Sequence, residues 1–245
     1  MRPIRRGASP QAEDFDPYAT AQPYLVSRLG MYCSYCERRI CTNLAVEHIQ
    51  PKVLAEFAHL EGTWTNYLLA CVNCNSTKSA KPVNLHDTLL PDRDNTFVAF
   101  SYLKDGSVVP SAAVDERGMR AMAEATLALT GLDRANRGIL DENDKEVALD
   151  RASQRREAWL VALANRDEIE AGPHLIPLRD AAVRVALATG FFSIWMTVFA
   201  DDFDMRQRLI VAFSGTQASQ CFDAITAQPV SPAPNPDRLV GGGKL

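Results

Sequence analysis

Two pairs of closely spaced cysteines constrain this chain more than any other feature of its sequence. Cys33 and Cys36 form one C-x-x-C pair, and Cys71 and Cys74 form a second pair after 34 intervening residues. Four thiolates presented by two tight turns suit the tetrahedral coordination of Zn²⁺. An ion enclosed by four sulfurs has no open position, so the predicted zinc is structural and any chemistry must lie elsewhere.

The cysteine pairs have two alternative explanations, which are unrelated buried thiols and a redox pair. Two C-x-x-C pairs seldom arise among unrelated cysteines, and no thioredoxin-like βαβ pattern surrounds either pair. We therefore predict zinc binding. The two cysteines that are left over, Cys41 and Cys221, are predicted to be small buried hydrophobic residues.

The charge of the chain limits which partners it can have. The net charge is −4, which argues against a large basic surface for nucleic acid. The charges are unevenly placed, because residues 1–85 carry nine Lys/Arg against seven Asp/Glu, whereas residues 86–245 carry seventeen against twenty-three. This distribution permits nucleic acid near the N-terminal part without requiring it.

We expect a cytoplasmic protein without a membrane span. The basic residues 1–6 are not followed by the apolar core of a secretory signal. The most apolar run, residues 185–200, has sixteen residues, and a membrane span needs about 20, so the run predicts a buried helix. Thiols stay reduced in the cytoplasm, which again favours metal binding over disulfides.

The remaining pattern predicts an α+β protein in three parts. Residues 1–113 form the cysteine-rich unit, with a helix at 17–29 that ends at Gly30 and a hairpin at 97–109 around Asp105-Gly106. Residues 114–227 form a mostly α-helical region. Residues 228–245 contain four prolines and three successive glycines, and this composition predicts a disordered tail.

Polar residues that could carry chemistry lie between and beside the cysteine pairs. Glu47 and His48 stand among apolar β-formers, which predicts a strand that delivers both side chains. A lone histidine of this kind is more often structural than catalytic. Asn66 follows in the same insert, and Asn75 comes directly after the last cysteine, at the start of a predicted helix.

Taken together, these residues resemble the HNH endonuclease family. The matching pattern covers residues 30–82 and consists of four short blocks, which are Cys33 with Cys36, Glu47-His48-Ile49-Gln50-Pro51, Asn66-Tyr67-Leu68, and Cys71 through Lys78. The resemblance implies a ββα-metal unit, with a histidine on a strand and a metal ligand on the following helix.

The resemblance also implies a role for each polar residue. His48 would be the general base that activates a water molecule, and Asn66 would orient it. Asn75 stands where the family has its last histidine, so its amide oxygen, with Glu47 as a carboxylate partner, would hold one Mg²⁺ or Mn²⁺ ion. From the sequence, Glu47 is equally well explained by a salt bridge to Arg38 or Arg39.

DNA is the substrate that the resemblance implies. Lys52, Lys78 and Lys81 could contact its phosphates, although any single lysine is more simply explained as solvated surface charge. Trp64 and Tyr67 could stack on bases, but packing in the core of the small unit explains them better. RNA or tRNA is not excluded by the sequence.

A looser resemblance concerns the system in which the protein acts. The opening Arg2-Pro3-Ile4, residues 90–96 and the helical C-terminal part are similar to HNH nucleases found beside an ATPase in bacterial anti-phage systems of the Septu and retron-associated kind. This implies an ATPase partner, and the apolar residues 191–199 could form the interface or simply the core. The alternative is a zinc-bearing module that binds nucleic acid or protein without catalysis.

Overall fold

The computed structural model of the chain describes residues 1–135, 137–145, 147–172, 174 and 176–245. Its α-helices are α1 (Gln22–Leu29), α2 (Val72–Lys78), α3 (Thr96–Ala99), α4 (Ala112–Glu116), α5 (Arg120–Thr130), α6 (Arg151–Ala171), α7 (Ile176–Thr189), α8 (Phe192–Val198) and α9 (Phe203–Ala212). Its strands are β1 (Ala45–His48), β2 (Tyr67–Ala70), β3 (Phe100–Tyr102) and β4 (Val108–Pro110). Short 3₁₀ turns lie at Tyr18–Ala21, Ala55–Leu60, Trp64–Asn66 and Gln217–Ser219. Helix and small sheets are therefore mixed, with helices dominating after β4, as the sequence predicted.

The first sheet and the helix after it form the frame of the cysteine-rich unit. β1 and β2 pair antiparallel, with Ala45 opposite Ala70 and His48 opposite Tyr67. α2 begins immediately after Cys71, so the unit has the order strand, strand, helix. The helix ends at Lys78, and the φ of 50° at Ser79 takes the chain out of the helical conformation.

The second sheet is the predicted hairpin, but its first strand is shorter than the sequence suggested. Residues 96–99 form α3, and β3 begins only at Phe100. The turn contains Gly106 at φ +86°, a conformation that favours glycine. A Cβ at this position would clash with the carbonyl oxygen of Ala152, because the hairpin tip packs against the start of α6.

The hydrophobic core crosses the boundary predicted near residue 113. One cluster of buried apolar side chains includes residues from both sides of that position. The ring of Tyr32 lies 5.1 Å from that of Phe213, and Phe192 lies 5.3 Å from the same ring. The cysteine-rich unit is thus packed directly against the C-terminal helices rather than joined to them by a linker.

The apolar run 185–200 was predicted as one buried helix, and the structure divides it in two. α7 ends at Thr189, and Phe191 adopts a left-handed conformation (φ 58°) with its amide bonded to the carbonyl of Glu37. α8 then begins and buries Trp195 completely. In the part of the chain that the structure describes, no helix is long and apolar enough to cross a membrane.

The last eighteen residues are packed, which corrects the disordered tail predicted from composition. The amide of Lys244 bonds to Asp94 at 3.0 Å, and the side-chain amide of Asn95 donates to the carbonyl of Val230 at 2.8 Å. Leu245 is fully buried. Prolines and glycines do not prevent order here, because buried polar side chains of the 92–95 segment satisfy the tail's backbone groups.

Candidate functional site

The four paired cysteines come together in one cluster. Their Sγ atoms all lie within 4.8 Å of one another, and all four residues are buried. Cys36 Sγ and Cys71 Sγ are 3.7 Å apart. Four sulfurs placed tetrahedrally around Zn²⁺ at about 2.3 Å would be separated by about 3.8 Å. The cluster is thus compatible with the structural zinc ion that the spacing predicted.

Residues from distant parts of the chain support this cluster. The Ser34 amide donates to the Leu69 carbonyl at 2.7 Å, which joins the first cysteine pair to β2. Arg151, at the start of α6, donates to Cys74 Sγ at 3.1 Å and to the carbonyl of Thr130 at 2.8 Å. A guanidinium at this distance would offset the net negative charge of a centre made of one Zn²⁺ ion and four thiolates.

His48, at the end of β1, has a fixed orientation. Its Nε2 lies 2.9 Å from the carbonyl oxygen of Glu61. A carbonyl can only accept, so Nε2 carries the hydrogen and Nδ1 is the acceptor. The rings of Tyr18 and Tyr67 stand edge-on to the imidazole, at 4.8 and 5.2 Å. Burial lowers the pKa of His48, which favours the neutral form that a general base requires.

Asn66 lies close to His48, but its contacts differ from those predicted. Its Oδ1 accepts from the Gln50 amide at 2.8 Å, and its Nδ2 donates to the Gln50 carbonyl at 3.0 Å. The asparagine therefore holds the backbone that follows His48, while the Glu61 carbonyl orients the imidazole. The cause is the 3₁₀ turn before β2, which points the Asn66 amide towards the chain leaving β1.

A cavity of about 300 Å³ brings together three of the residues predicted for catalysis or for the Mg²⁺ or Mn²⁺ ion. Glu47 and His48 line it from β1, and Asn75 lines it from α2. Tyr18 and Lys52 complete its rim. Asn75 is half-buried, and among the described residues its side chain has no hydrogen-bond partner. We call this space the His48 cavity.

Glu47 is paired with a lysine rather than with either of the two arginines considered from the sequence. Its Oε1 lies 2.8 Å from Lys78 Nζ, and the two side chains are only 4% and 1% exposed. Burial raises the pKa of Glu47, and the charge of Lys78 opposes that rise. Oε1 is inaccessible to solvent, so this carboxylate oxygen is enclosed with the lysine charge beside it.

Lys78 does not have the position predicted for a phosphate contact. Its ammonium is buried between Glu47 and the carbonyl of His48, to which it donates at 2.7 Å. It fastens α2 to the end of β1. The spacing of the sequence could not show this, because a lysine one turn beyond the last cysteine can point either to solvent or under the helix.

The other two lysines predicted to contact nucleic acid, Lys52 and Lys81, lie in different environments. Lys52 is ion-paired to Glu61, and its ammonium lies 3.9 Å from the centre of the Tyr18 ring, at the rim of the His48 cavity. Lys81 is exposed and donates to the carbonyl of Ala128 at 3.2 Å. Both can reach a ligand at the surface.

The remaining predictions concern two aromatic residues and two cysteines. Trp64 and Tyr67 are buried against Phe15, with ring centres 5.7 and 6.2 Å away, so they pack in the core rather than stack on bases. Cys221 is buried as predicted. Cys41 is exposed, contrary to the prediction, because it lies in the loop between the first cysteine pair and β1.

Two residues of the site were missed by the sequence reasoning. Glu61 acts through its backbone carbonyl, and no side-chain pattern reveals such a contact. Tyr18 lies in the 3₁₀ turn before α1, within residues 17–29, which the sequence predicts as a helix. Its neighbours in sequence contain no signal that would have linked it to His48.

Comparison with known proteins agrees with this geometry. The family model for HNH endonuclease matches residues 33–81, which are 49 of the 245 residues. The matched stretch includes the four clustered cysteines, His48, Asn66 and Asn75. Among curated proteins, none matches the chain. This region of the protein thus carries an HNH endonuclease domain.

Proposed function

We propose that this protein is an endonuclease that hydrolyses phosphodiester bonds in DNA, with His48 as the general base. One observation carries the proposal. A neutral imidazole with Nδ1 as its acceptor lines the same cavity as Glu47 and Asn75, and that cavity adjoins a helix that itself bears Cys74. The helix is positioned by the cysteine cluster, so the polar groups are held in place before any substrate arrives.

The chemistry follows from the groups present. His48 Nδ1 takes a proton from a water molecule as its oxygen forms a bond to phosphorus. The bond between phosphorus and the 3′-oxygen breaks, and that oxygen leaves with the electron pair and is protonated from solvent. The Glu61 carbonyl holds the imidazole, and Asn66 fixes the backbone of the next two residues, so the base stays in position.

Two residues that line this cavity carry oxygen donors suited to a divalent cation. The carboxylate of Glu47 and the amide oxygen of Asn75 are hard donors, which favour Mg²⁺ or Mn²⁺ over zinc. These two residues would hold the cation. When bound, it supplies positive charge that neutralises the phosphate and the leaving oxygen.

Nicking of supercoiled plasmid tests this proposal. Wild-type protein with Mg²⁺ or Mn²⁺ should cut, and His48→Ala should cut about 10²- to 10⁴-fold more slowly, because it lacks the general base. His59→Ala is the matched control, since this histidine is exposed and does not line the cavity. Equal rates for the wild-type and His48→Ala proteins would refute the role of His48.

The ATPase partner and the anti-phage role form the finer part of the proposal. They are supported by the resemblance of Arg2-Pro3-Ile4, residues 90–96 and the helical C-terminal part. If an ATPase regulates the nuclease, the isolated chain should cut weakly, and protein purified together with the product of the neighbouring gene should cut strongly. Equal cutting by both preparations argues against that regulation.

A further inference from the structure

A second cleft lies on the other side of α2 from the His48 cavity. It also encloses about 300 Å³ and is more polar than apolar. We call it the arginine cleft, and its main polar residues are Ser76, Thr77, Arg134, Arg137, Asp150 and Arg151. α2 thus presents Asn75 to one cleft and Ser76 with Thr77 to the other, because successive residues on a helix point about 100° apart.

The arginine cleft has available positive charge. Arg134 and Arg137 are exposed, and in the described part of the chain Arg134 forms no salt bridge. The Nε of Arg137 lies 4.0 Å from Asp150 Oδ2, with 69% of the arginine side chain exposed. This contact is at the limit of an ion pair and leaves the guanidinium open to another anion.

The acidic residue in the cleft is already engaged. Asp150 caps α6 and accepts from the amides of Ala152 and Ser153 at 2.8 and 2.9 Å, and from the amide of Arg137 at 2.9 Å. Arg151 donates to two neutral carbonyls as well as to Cys74 Sγ. The cleft therefore has a local positive excess in a chain whose net charge is −4.

The placement of the two clefts on different faces of α2 favours a polynucleotide as the ligand. They flank one helix, and a helix with its side chains is about 10 Å across. Two anions, one in each cleft, would lie about that distance apart. A single small phosphate cannot span it. A polynucleotide carries phosphates at regular intervals and can place one in each cleft, and arginine forks bind phosphate in a bidentate manner.

We propose that the arginine cleft binds a backbone phosphate of the same DNA whose scissile phosphate occupies the His48 cavity. The reference to a scissile phosphate rests on the function proposed above. In this arrangement the region after residue 113 contributes directly to substrate binding through Arg134 and Arg137. Both residues lie outside the stretch matched by the HNH family model.

DNA binding without cleavage tests the proposal independently of catalysis. In a His48→Ala background, Arg134→Gln with Arg137→Gln should raise the Kd for a 30-base-pair duplex about tenfold or more at moderate salt. The slope of log Kd against log salt should fall by about 0.9, the contribution of one phosphate contact. Equal zinc content and Tm would show that the fold is retained.

The matched control also removes two positive charges, at positions outside the arginine cleft. Arg166 lies near the far end of α6, fifteen residues beyond Arg151, which is about 22 Å along the helix. Arg184 is exposed on α7. Arg166→Gln with Arg184→Gln should change the Kd less than twofold and leave the salt slope unaltered. If both pairs weaken binding equally, the effect is one of net charge, and the proposed cleft is wrong.

Cleavage kinetics give a second, separate readout. The Arg134→Gln, Arg137→Gln protein should show a raised KM on duplex DNA with little change in kcat. On bis(p-nitrophenyl) phosphate, which has one phosphate and reaches only the His48 cavity, the loss in kcat/KM should be at least tenfold smaller than on DNA. Equal losses on both substrates would overturn the proposal. If the wild-type protein cuts neither substrate, the nuclease function fails and the binding measurement still decides the role of the cleft.

Discussion

The region around the cysteine cluster and the C-terminal helices are stabilised in different ways. In residues 33–81 the regular structure consists of two four-residue strands, a seven-residue α-helix and two short 3₁₀ turns, elements too short to be stable alone. The helices after residue 150 include one of 21 residues and enclose large buried aromatic side chains. We infer that a metal ion holds the first region, while apolar burial holds the second.

This contrast accounts for the position of the candidate site residues in the first region. A metal ion fixes the backbone through a few covalent-like contacts, which leaves neighbouring polar residues free to face a cavity. In a region held by apolar burial, the apolar face of each helix is directed into the core. The two regions meet at Arg151, which belongs to α6 yet donates to Cys74 Sγ.

Loss of one zinc ligand should have the largest effect. Cys74→Ser removes one of four thiolates, and structural zinc contributes roughly 10 kcal/mol or more in small zinc domains. We expect loss of bound zinc and unfolding of residues 33–81, seen as lost near-ultraviolet circular dichroism. Cys41→Ser is the control, because this thiol is exposed and outside the cluster. A Cys74→Ser protein with wild-type stability would show that the cluster holds no ion.

Truncation in the helical region should destabilise the protein without releasing zinc. Trp195 is fully buried and stacks on Phe199 with ring centres 6.2 Å apart. Trp195→Ala should lower the free energy of unfolding by about 3–5 kcal/mol through the cavity it creates. Denaturant titration gives that value, and metal analysis should still find one zinc per chain. Zinc loss from the folded variant would mean that the two regions are not stabilised separately.

The buried ion pair beside the His48 cavity should give a smaller loss. Lys78→Met leaves the Glu47 carboxylate buried without its partner, which should cost about 3 kcal/mol. The double variant Lys78→Met, Glu47→Leu removes both charges and should recover most of that stability. Denaturant titration of the two proteins measures the difference. If the double variant is no more stable than the single one, Lys78 acts through its bond to the His48 carbonyl instead.

The smallest expected effect concerns pH and the buried Asp92. Burial would raise the pKa of this carboxyl, but the charges of Arg93 and Arg6 outweigh burial and lower it from 3.8 to about 2. The stabilisation is present above pH 3.8 and is lost as the pH falls towards 2. It amounts to about 2 kcal/mol.

Comparison with Asp92→Asn isolates this contribution. The stability advantage of the wild-type protein over the variant should be constant near neutral pH and shrink by about 2 kcal/mol between pH 4 and pH 2. Unfolding curves at each pH provide the measurement. A difference that stays constant across this window would show that the arginines do not hold the carboxylate ionised.

Much of the site could be predicted because its geometry is local. Two residues between paired cysteines fix a turn, and one helical turn carries the chain from Cys71 to Asn75. The sequence thus indicated the sulfur cluster and three residues that line the His48 cavity, namely Glu47, His48 and Asn75. The α+β class followed in the same way from periodicity and from the Asp-Gly turn of the hairpin.

The contacts that the sequence did not reveal are formed between distant segments. The Glu61 carbonyl that orients His48 has no side-chain signature, and the burial of Lys78 depends on how α2 lies against β1. The packed tail depends on Asp94 and Asn95, more than a hundred residues earlier in the chain. The composition of a segment indicates how it would behave in isolation. The burial of Lys78 and the order of the tail depend instead on contacts with residues far away in the sequence.

Selective metal removal tests the central claim most directly, namely that one ion holds the scaffold and the adjoining cavity performs hydrolysis. After mild treatment with a chelator, we predict that the chain keeps one zinc, stays folded and does not cut plasmid DNA. Added Mg²⁺ or Mn²⁺ should then restore cutting by the wild-type protein but not by His48→Ala. Cutting that persists without any added cation, or that is equal in His48→Ala, would contradict the account.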